Sequence, residues 1–163
     1  MSELRIVKAF ATHPEYFDAV TSCNANFRQS GPTARRFCLA CPKCVFVSLM
    51  ARPWLDDAAY HALFGGDALA DPANLTFVEE LLGVRGTKPF ECVGTPEESV
   101  AAVHLAKSRG RTIPHGVMTA LAGHVASSVS DLDTVAARAL ARSRDHELSA
   151  TRIAQLDDYL DRH

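Results

Sequence analysis

The stretches that decide the fold of this 163-residue chain are T-S-C-N-A-N-F at 21–27 and R-R-F-C-L-A-C-P-K-C-V-F-V at 35–47. They hold four of its five cysteines in a C-x14-C-x2-C-x2-C pattern, namely Cys23, Cys38, Cys41 and Cys44. Thiolates bind soft or borderline metal ions, and the C-x2-C spacing lets one tight turn present two sulfurs to one ion. Two such turns overlap here, and Cys23 is available as the fourth corner of a tetrahedron. The pattern predicts a segment that folds around zinc.

Other interpretations of the cysteines stay open at this point. A disulfide framework is disfavoured because the N-terminus, at 1–17, has neither the long apolar run nor the cleavage site of a secretion signal. A cytosolic chain keeps its thiols reduced. The remaining alternatives are an iron–sulfur cluster, which also uses C-x2-C-x2-C runs, and redox-active thiols without metal. Four cysteines would fill the coordination sphere of zinc, whereas catalytic zinc keeps an open position. We therefore expect structural zinc in a cytoplasmic protein.

Composition limits the function classes. The hydrophobic fraction is 47% and the charged fraction 22%, which is typical of a globular chain. A chain near this size buries about 70% of its unfolded surface. The formal net charge is −2 at pH 7, so the chain lacks the basic excess of a nucleic-acid-binding domain. The sequence contains no run of 18 apolar residues. We expect neither a nucleic-acid partner nor a membrane span.

Helical signals dominate, and the predicted fold class is mainly α. T-P-E-E at 95–98 has the N-cap, first-turn proline and glutamate of a capping box, and it predicts a helix that ends near Ser108. Further helices are predicted at 13–20, 45–51, 56–64 and 74–82, and as three segments after Pro114 that break near 127–130 and 143–145. Strand signals are confined to 4–10 and 90–93. We expect a zinc-knuckle and substrate-loop region at 1–110 and a C-terminal helical tail at 111–163, joined in one compact domain.

Three motifs carry a resemblance to a known family. They are T-S-C-N-x-N-F at 21–27, F-C-x-x-C-P-K-C-V-F-V at 37–47 and G-x-K-P-F-E-C-V-G-T-P-E-E at 86–98. Together they resemble the C-terminal part of the UDP-N-acetyl-α-D-muramoyl-L-alanyl-L-glutamate epimerases. The cysteine pattern is also similar to that of 7-cyano-7-deazaguanine synthases, which share the ATP-pyrophosphatase ancestry and bind a structural zinc. The resemblance implies a helical domain like the C-terminal part of an ATP-pyrophosphatase-like α/β enzyme.

The resemblance also implies a reaction. Such epimerases use ATP and Mg²⁺ to activate the α-carboxyl of the terminal L-glutamate of UDP-MurNAc-L-Ala-L-Glu, a peptidoglycan precursor. Activation makes the α-proton acidic enough for a positioned base to remove, and reprotonation from the other face gives D-glutamate. The chain contains no S-G-G-x-D-S phosphate loop of the ATP-pyrophosphatases. The resemblance therefore implies that ATP is bound mainly by a missing N-terminal half or by a partner subunit.

Candidate catalytic residues lie in the glycine-bounded motif at 86–94. They are Lys88, to hold a phosphate or carboxylate, Glu91, as a base or Mg²⁺ ligand, and Cys92, to exchange the α-proton. The alternative is a tight structural loop in which Cys92 is a small buried apolar residue. Asn24 and Asn26 are candidates for substrate binding, and the alternative for them is to cap turns beside the metal loop.

The surroundings of the metal site follow from its neighbours in sequence. We expect Phe27, Phe46 and Trp54 to pack around it. We expect Lys43, with Arg35 and Arg36, to offset the charge of the thiolates.

Three functional hypotheses follow. The first is the zinc-bearing C-terminal part of an ATP-dependent muropeptide epimerase. The second is a zinc-stabilised helical binding module without activity of its own. The third is the C-terminal part of another ATP-pyrophosphatase-type enzyme. K-P-F-E-C-V-G at 88–94 favours the first over the third, because a zinc knuckle alone does not require that motif.

Overall fold

The structure is a computed structural model that describes residues 2–27, 35–89, 93–127, 131–142 and 147–162. These residues contain eight α-helices: Glu3–Phe10 (α1), Pro42–Ala51 (α2), Asp57–Phe64 (α3), Leu75–Leu81 (α4), Pro96–Ser108 (α5), His115–Ser127 (α6), Leu132–Leu140 (α7) and Ala150–Arg162 (α8). Short 3₁₀ turns lie at Pro14–Tyr16, Asn24–Phe27 and Pro72–Asn74. The described residues form no β-strand, which confirms the mainly α class.

The helix boundaries follow local capping chemistry. At α5 the Thr95 hydroxyl accepts from the Glu98 N–H, and the Glu98 carboxylate accepts from the Thr95 N–H, so the predicted capping box is confirmed. At α3 the Asp56 carboxylate accepts from the N–H of Ala59. Gly65 follows that helix as its C-cap, with a φ of +73° that is most favourable for a residue without a side chain.

The segment at 4–10 is a correction to the sequence prediction, because it forms α1 and not a strand. Ser2 provides the reason, since its hydroxyl accepts from the Arg5 N–H at 3.1 Å and starts a helix. Leu4 and Val7 then lie three residues apart on one face, with Leu4 fully buried. The helix predicted at 13–20 is also wrong, because only the turn Pro14–Tyr16 forms.

The remaining differences are smaller. The second helix begins at Pro42, three residues earlier than expected, and the three tail helices are confirmed as α6, α7 and α8. Of the strand predicted at 90–93, residues 90–92 lie outside the described part of the chain. No helix among the described residues is both long enough and apolar enough to cross a membrane.

Two groups of buried side chains meet at α2. The larger core joins α1, α2, α4, α5, α6 and α7, and α2 contributes Phe46, Leu49 and Met50 to it. The smaller core surrounds the cysteines and includes Cys44 and Ala51 of the same helix. Full burial of a large apolar side chain stabilises a fold by about 1.5–3 kcal/mol. Burial on both sides therefore fixes α2, and this places the cysteines at its N-terminus against the rest of the protein.

Candidate metal centre and flanking loop

The four predicted metal ligands come together. The Sγ atoms of Cys23, Cys38, Cys41 and Cys44 all lie within 4.8 Å of one another, and none of these cysteines is in a disulfide. The Sγ atoms of Cys38 and Cys44 are 3.8 Å apart. A tetrahedral zinc with Zn–S bonds of about 2.3 Å has S–S edges of about 3.8 Å. The four side chains therefore fit one tetrahedral metal ion, and the arrangement can hold one.

The sequence between Cys38 and Cys44 builds the two sulfur turns. Leu39 has a φ of +60°, a left-handed conformation that reverses the chain within the first C-x2-C. The N–H of Ala40 donates to Cys38 Sγ at 3.5 Å. Cys41 is the N-cap of α2, and its Sγ accepts from the Cys44 N–H at 3.4 Å. Pro42 at the first helical position removes an N–H that would have no partner there.

Asn74 stabilises the left-handed turn from outside the cysteine motif. Its amide, 2% exposed, donates to the Leu39 carbonyl at 2.7 Å and to the Ala68 carbonyl at 2.8 Å. The sequence pattern indicates Asn74 only as the start of a helix, and its side chain makes no capping hydrogen bond there. The nearby cap is Asp71, which accepts from the Ala73 N–H. The D-P pair at 71–72 is the sequence signal that could have predicted this cap. With Asp71 as the cap, the Asn74 side chain is available for a contact elsewhere.

Leu39 is also fixed by its side chain. A Cβ atom at Gly66 would lie only 2.7 Å from Leu39 Cδ1, so the absence of a side chain at 66 lets Leu39 pack there. Both the carbonyl and the side chain of this residue are therefore held by the segment between α3 and α4.

A second set of hydrogen bonds joins the segment of Cys23 to the segment of Cys38. The Asn26 amide donates to the Arg36 carbonyl at 2.7 Å and to the Thr21 hydroxyl at 3.0 Å. The Thr21 hydroxyl in turn donates to the Arg36 carbonyl and accepts from the Cys23 N–H at 3.3 Å. The described contacts of the Asn26 amide thus hold the segment of Cys23 against the segment of Cys38. Its neighbour Asn24 is exposed, and the Asn24 N–H bonds to the Cys41 sulfur.

Hydrogen bonding within the cluster separates the acidities of the thiols. The bond from the Cys44 thiol, followed by that from the Cys44 backbone N–H, lowers the pKa of Cys41 to about 4. Burial raises the pKa of Cys38, and hydrogen bonding to Cys41 raises that of Cys44. Among Cys38, Cys41 and Cys44, the Cys41 thiol is therefore the one that loses its proton most readily. A metal ion would stabilise the thiolate form of the others, so binding would release protons.

The aromatic surroundings correct the sequence prediction. Phe27 is 72% exposed, while Phe46 and Trp54 pack with the larger core and not around the cysteines. The side chains that surround the cysteines are instead Phe17, Phe37, Leu55, Tyr60, Leu63 and Phe64. Most are distant in sequence, so spacing alone could not identify them.

Two of the charged neighbours have contacts with groups other than the sulfurs. Arg36 donates to the Phe17 carbonyl and pairs with Asp18 at 3.3 Å. Lys43 lies 5.6 Å from the centre of the Phe46 ring. Backbone N–H groups, those of Ala40 and Cys44 among them, donate to the cysteine sulfurs.

The glycine-bounded loop ends next to α2. Lys88 Nζ donates to the Val93 carbonyl at 3.0 Å and to the Gly94 carbonyl at 3.1 Å, so the lysine joins the two sides of the loop. A Cβ at Gly94 would meet Glu98 Oε2 and would lie 3.0 Å from Phe46 Cζ. Glu91 and Cys92 lie outside the described residues.

The family profile that matches this chain is described as the MurL C-terminal domain, and the match covers residues 19–136. This chain belongs to the MurL C-terminal domain family. The matched segment contains all four cysteines and the loop at 86–94, while α8 lies beyond it. No solved structure matches the chain.

Three similar proteins are each named UDP-N-acetyl-alpha-D-muramoyl-L-alanyl-L-glutamate epimerase. The protein of Salinispora tropica is 52% identical over 105 residues, which are 64% of this chain and 23% of that protein. The protein of a Micromonospora species is 49% identical over 105 residues, with the same two shares. The protein of Xanthomonas oryzae pv. oryzae is 36% identical over 110 residues, 67% of this chain and 24% of that protein.

The matches also show how much of each relative's length this chain represents. This MurL C-terminal domain chain spans less than a quarter of the length of the relatives that it matches. The four cysteines of the candidate metal centre lie inside the segment that the family profile matches.

Proposed function

We propose that this chain forms the zinc-bearing C-terminal part of an ATP-dependent epimerase. The enzyme would convert the terminal L-glutamate of UDP-MurNAc-L-Ala-L-Glu to D-glutamate in peptidoglycan precursor synthesis. The observation that carries the proposal is the 52% identity to a relative of that name, together with the family match over residues 19–136. The names support the epimerase family, and the reaction is our inference from them.

The division of labour follows from the share of the relatives that the chain represents. We infer that ATP and Mg²⁺ are bound mainly by the remaining length of such an enzyme, in an ATP-pyrophosphatase-like domain or a partner subunit. ATP would supply activation of the glutamate α-carboxyl. A carboxylate is a poor electron sink because its enolate would carry a second negative charge, and activation removes that obstacle.

The loop at 86–94 is our proposal for the contribution of this chain to the chemistry. A lysine ammonium has three N–H donors, and described carbonyls accept two hydrogen bonds from Lys88. We propose that the third donor holds a carboxylate or phosphate of the substrate, with Glu91 and Cys92 as the groups that move the α-proton. Asn24 and Asn26 are proposed to contact the substrate beside the Cys23 segment.

We propose that the metal is zinc and that its role is structural. Four cysteines would complete its coordination, which leaves no open position for substrate. The N–H···S bonds from Ala40 and Cys44 suit a thiolate-rich site. We expect metal analysis to give about one zinc per chain, and chelation to reduce the helical circular dichroism signal. A folded chain that contains no metal would remove the premise.

A chimaera tests the epimerase proposal. The matching segment of the Salinispora tropica relative is replaced by the segment from this chain, and the substrate is incubated with ATP and Mg²⁺ in D₂O. We expect ATP-dependent deuterium at the glutamate α-carbon and inversion to D-glutamate. Lys88→Ala and Cys92→Ser should each abolish exchange with zinc content unchanged. Lys107→Ala, at an exposed position on α5, is the matched control. A folded, zinc-loaded chimaera without exchange would refute the proposal.

A second candidate is a zinc-stabilised helical binding module without activity of its own. One observation favours it, since the described contacts of the Lys88 ammonium are backbone carbonyls, as a purely structural loop would have. The module hypothesis predicts that the Lys88→Ala chimaera keeps full exchange activity.

We further propose that residues 1–110 and 111–163 fold as one unit.

A further inference from the structure

Three buried donors at the other end of α2 have no acceptor among the described residues. They are Arg52 Nη1, Trp54 Nε1 and Arg111 Nε. Arg52 is only 3% exposed, so its charged side chain is almost fully removed from water. A buried N–H without an acceptor is unfavourable, and more so when the group is charged. All three atoms are donors, so an acceptor is what the site lacks.

The three donors belong to two segments that contact each other. Arg52 Nε donates to the Thr112 carbonyl at 2.7 Å, which places the turn after α2 against the segment after α5. In the same region the Arg109 guanidinium lies 4.5 Å from the centre of the Trp54 ring. These contacts thus place Arg52 and Trp54 against the segment that carries Arg109 and Arg111.

The charges of this region favour an anion. The Asp57 carboxylate contacts both segments. It pairs with Arg52, and its Oδ2 accepts from the Thr112 hydroxyl at 3.1 Å. It offsets one of the three positive charges. The ring of Tyr60 lies 4.5 Å from the Arg52 guanidinium and offsets part of its burial, but it supplies no oxygen acceptor to Nη1.

We propose that the turn at 52–54 and the segment at 109–112 form an oxyanion-binding site, for a phosphate or carboxylate group. Arginine guanidinium groups and an indole N–H are donors only, and a phosphate or carboxylate presents several acceptor lone pairs with a negative charge. The proposal goes beyond the epimerase proposal and does not depend on it, because binding is measured without turnover.

The single tryptophan reports on the site directly. Trp54 is the only tryptophan in the chain, so the ¹⁵N-labelled, zinc-loaded full chain gives one indole N–H resonance. It is titrated in separate arms with inorganic phosphate, pyrophosphate and sodium glutamate, with sodium chloride at matched ionic strength as the blank. We expect a saturable shift of that resonance. A phosphate arm that binds more tightly than glutamate assigns a phosphate ligand, and the reverse assigns a carboxylate.

Variants localise the binding. Arg111→Gln should weaken it about tenfold or more, because a charge-assisted hydrogen bond is lost. Arg109→Gln, at an exposed position, gives a second reading if the first variant does not fold. Arg85→Gln removes the same charge at an exposed residue paired with Glu79, and it should leave affinity unchanged. The proposal is overturned if no arm gives a saturable shift up to about 10 mM. Equal weakening by Arg85→Gln and Arg111→Gln would overturn it as well, because the effect would then be one of net charge. The absence of a saturable shift would mean that water satisfies the buried donors.

Discussion

Replacement of Asn74 by alanine should destabilise the protein and weaken the metal centre together. The Asn74 amide donates two short hydrogen bonds, at 2.7 Å to Leu39 and 2.8 Å to Ala68, from a side chain that is 2% exposed. Each such bond contributes about 0.5–1.5 kcal/mol, and a buried carbonyl left without a partner costs about 1–3 kcal/mol. We therefore expect Asn74→Ala to lower the free energy of unfolding by about 2–4 kcal/mol.

The effect on metal follows because Leu39 lies inside the first C-x2-C turn. Loss of an outer-shell partner typically lowers metal affinity by about 10–100-fold. Urea denaturation with excess zinc measures stability, and competition against a chromophoric chelator measures zinc affinity. Gln155→Ala, which removes an exposed amide on α8, is the matched control and should change neither. If Asn74→Ala alters stability by less than about 0.5 kcal/mol and leaves zinc affinity unchanged, the role assigned to Asn74 is wrong.

Three further predictions concern the cysteines, the loop and the buried arginine. Cys44→Ser should abolish stoichiometric zinc binding, measured by metal analysis, because it removes a thiolate from a four-sulfur site. Gly94→Ala should destabilise the chain by about 1–3 kcal/mol in urea denaturation, because its Cβ would meet the Glu98 carboxylate. Hydrogen bonding from Arg52 lowers the pKa of Asp57, so the carboxylate stabilises the fold above its ordinary pKa, and this contribution is lost as the pH falls through the lowered value. Asp57→Asn should accordingly lower the thermal midpoint at neutral pH, and the difference from the parent should shrink below about pH 4.

The features that the sequence predicted best are those in which chemistry is local. The candidate ligands Cys38, Cys41 and Cys44 lie within seven residues, so one turn and the start of a helix determine where their sulfurs lie. The capping box at Thr95 was predictable for the same reason, since it involves only positions three apart.

The features that the sequence did not predict depend on contacts between distant segments. The run at 4–10 is short and apolar, and its helical state is decided by the Ser2 cap and by packing of Leu4 in the larger core. Asn74 bonds to Leu39, 35 positions away, and no local pattern indicates that partner. The prediction that Phe46 packs around the cysteines was wrong, because adjacency along a helix does not say which face a side chain occupies.

The helix α2 connects the features of this domain that bear on function. Cys41 is its N-cap and Cys44 lies in its first turn, Phe46 packs against Gly94 at the end of the loop, and Arg52 follows its last residue. A helix of 10 residues is about 15 Å long, so these features lie along one short element buried on both sides. A metal ion bound at its N-terminus would fix the position of α2, and through Phe46 it would fix the end of the loop at 86–94. If the loop carries the chemistry that we propose for it, a structural four-cysteine site would affect catalysis without contacting substrate, because it would determine where that loop is anchored.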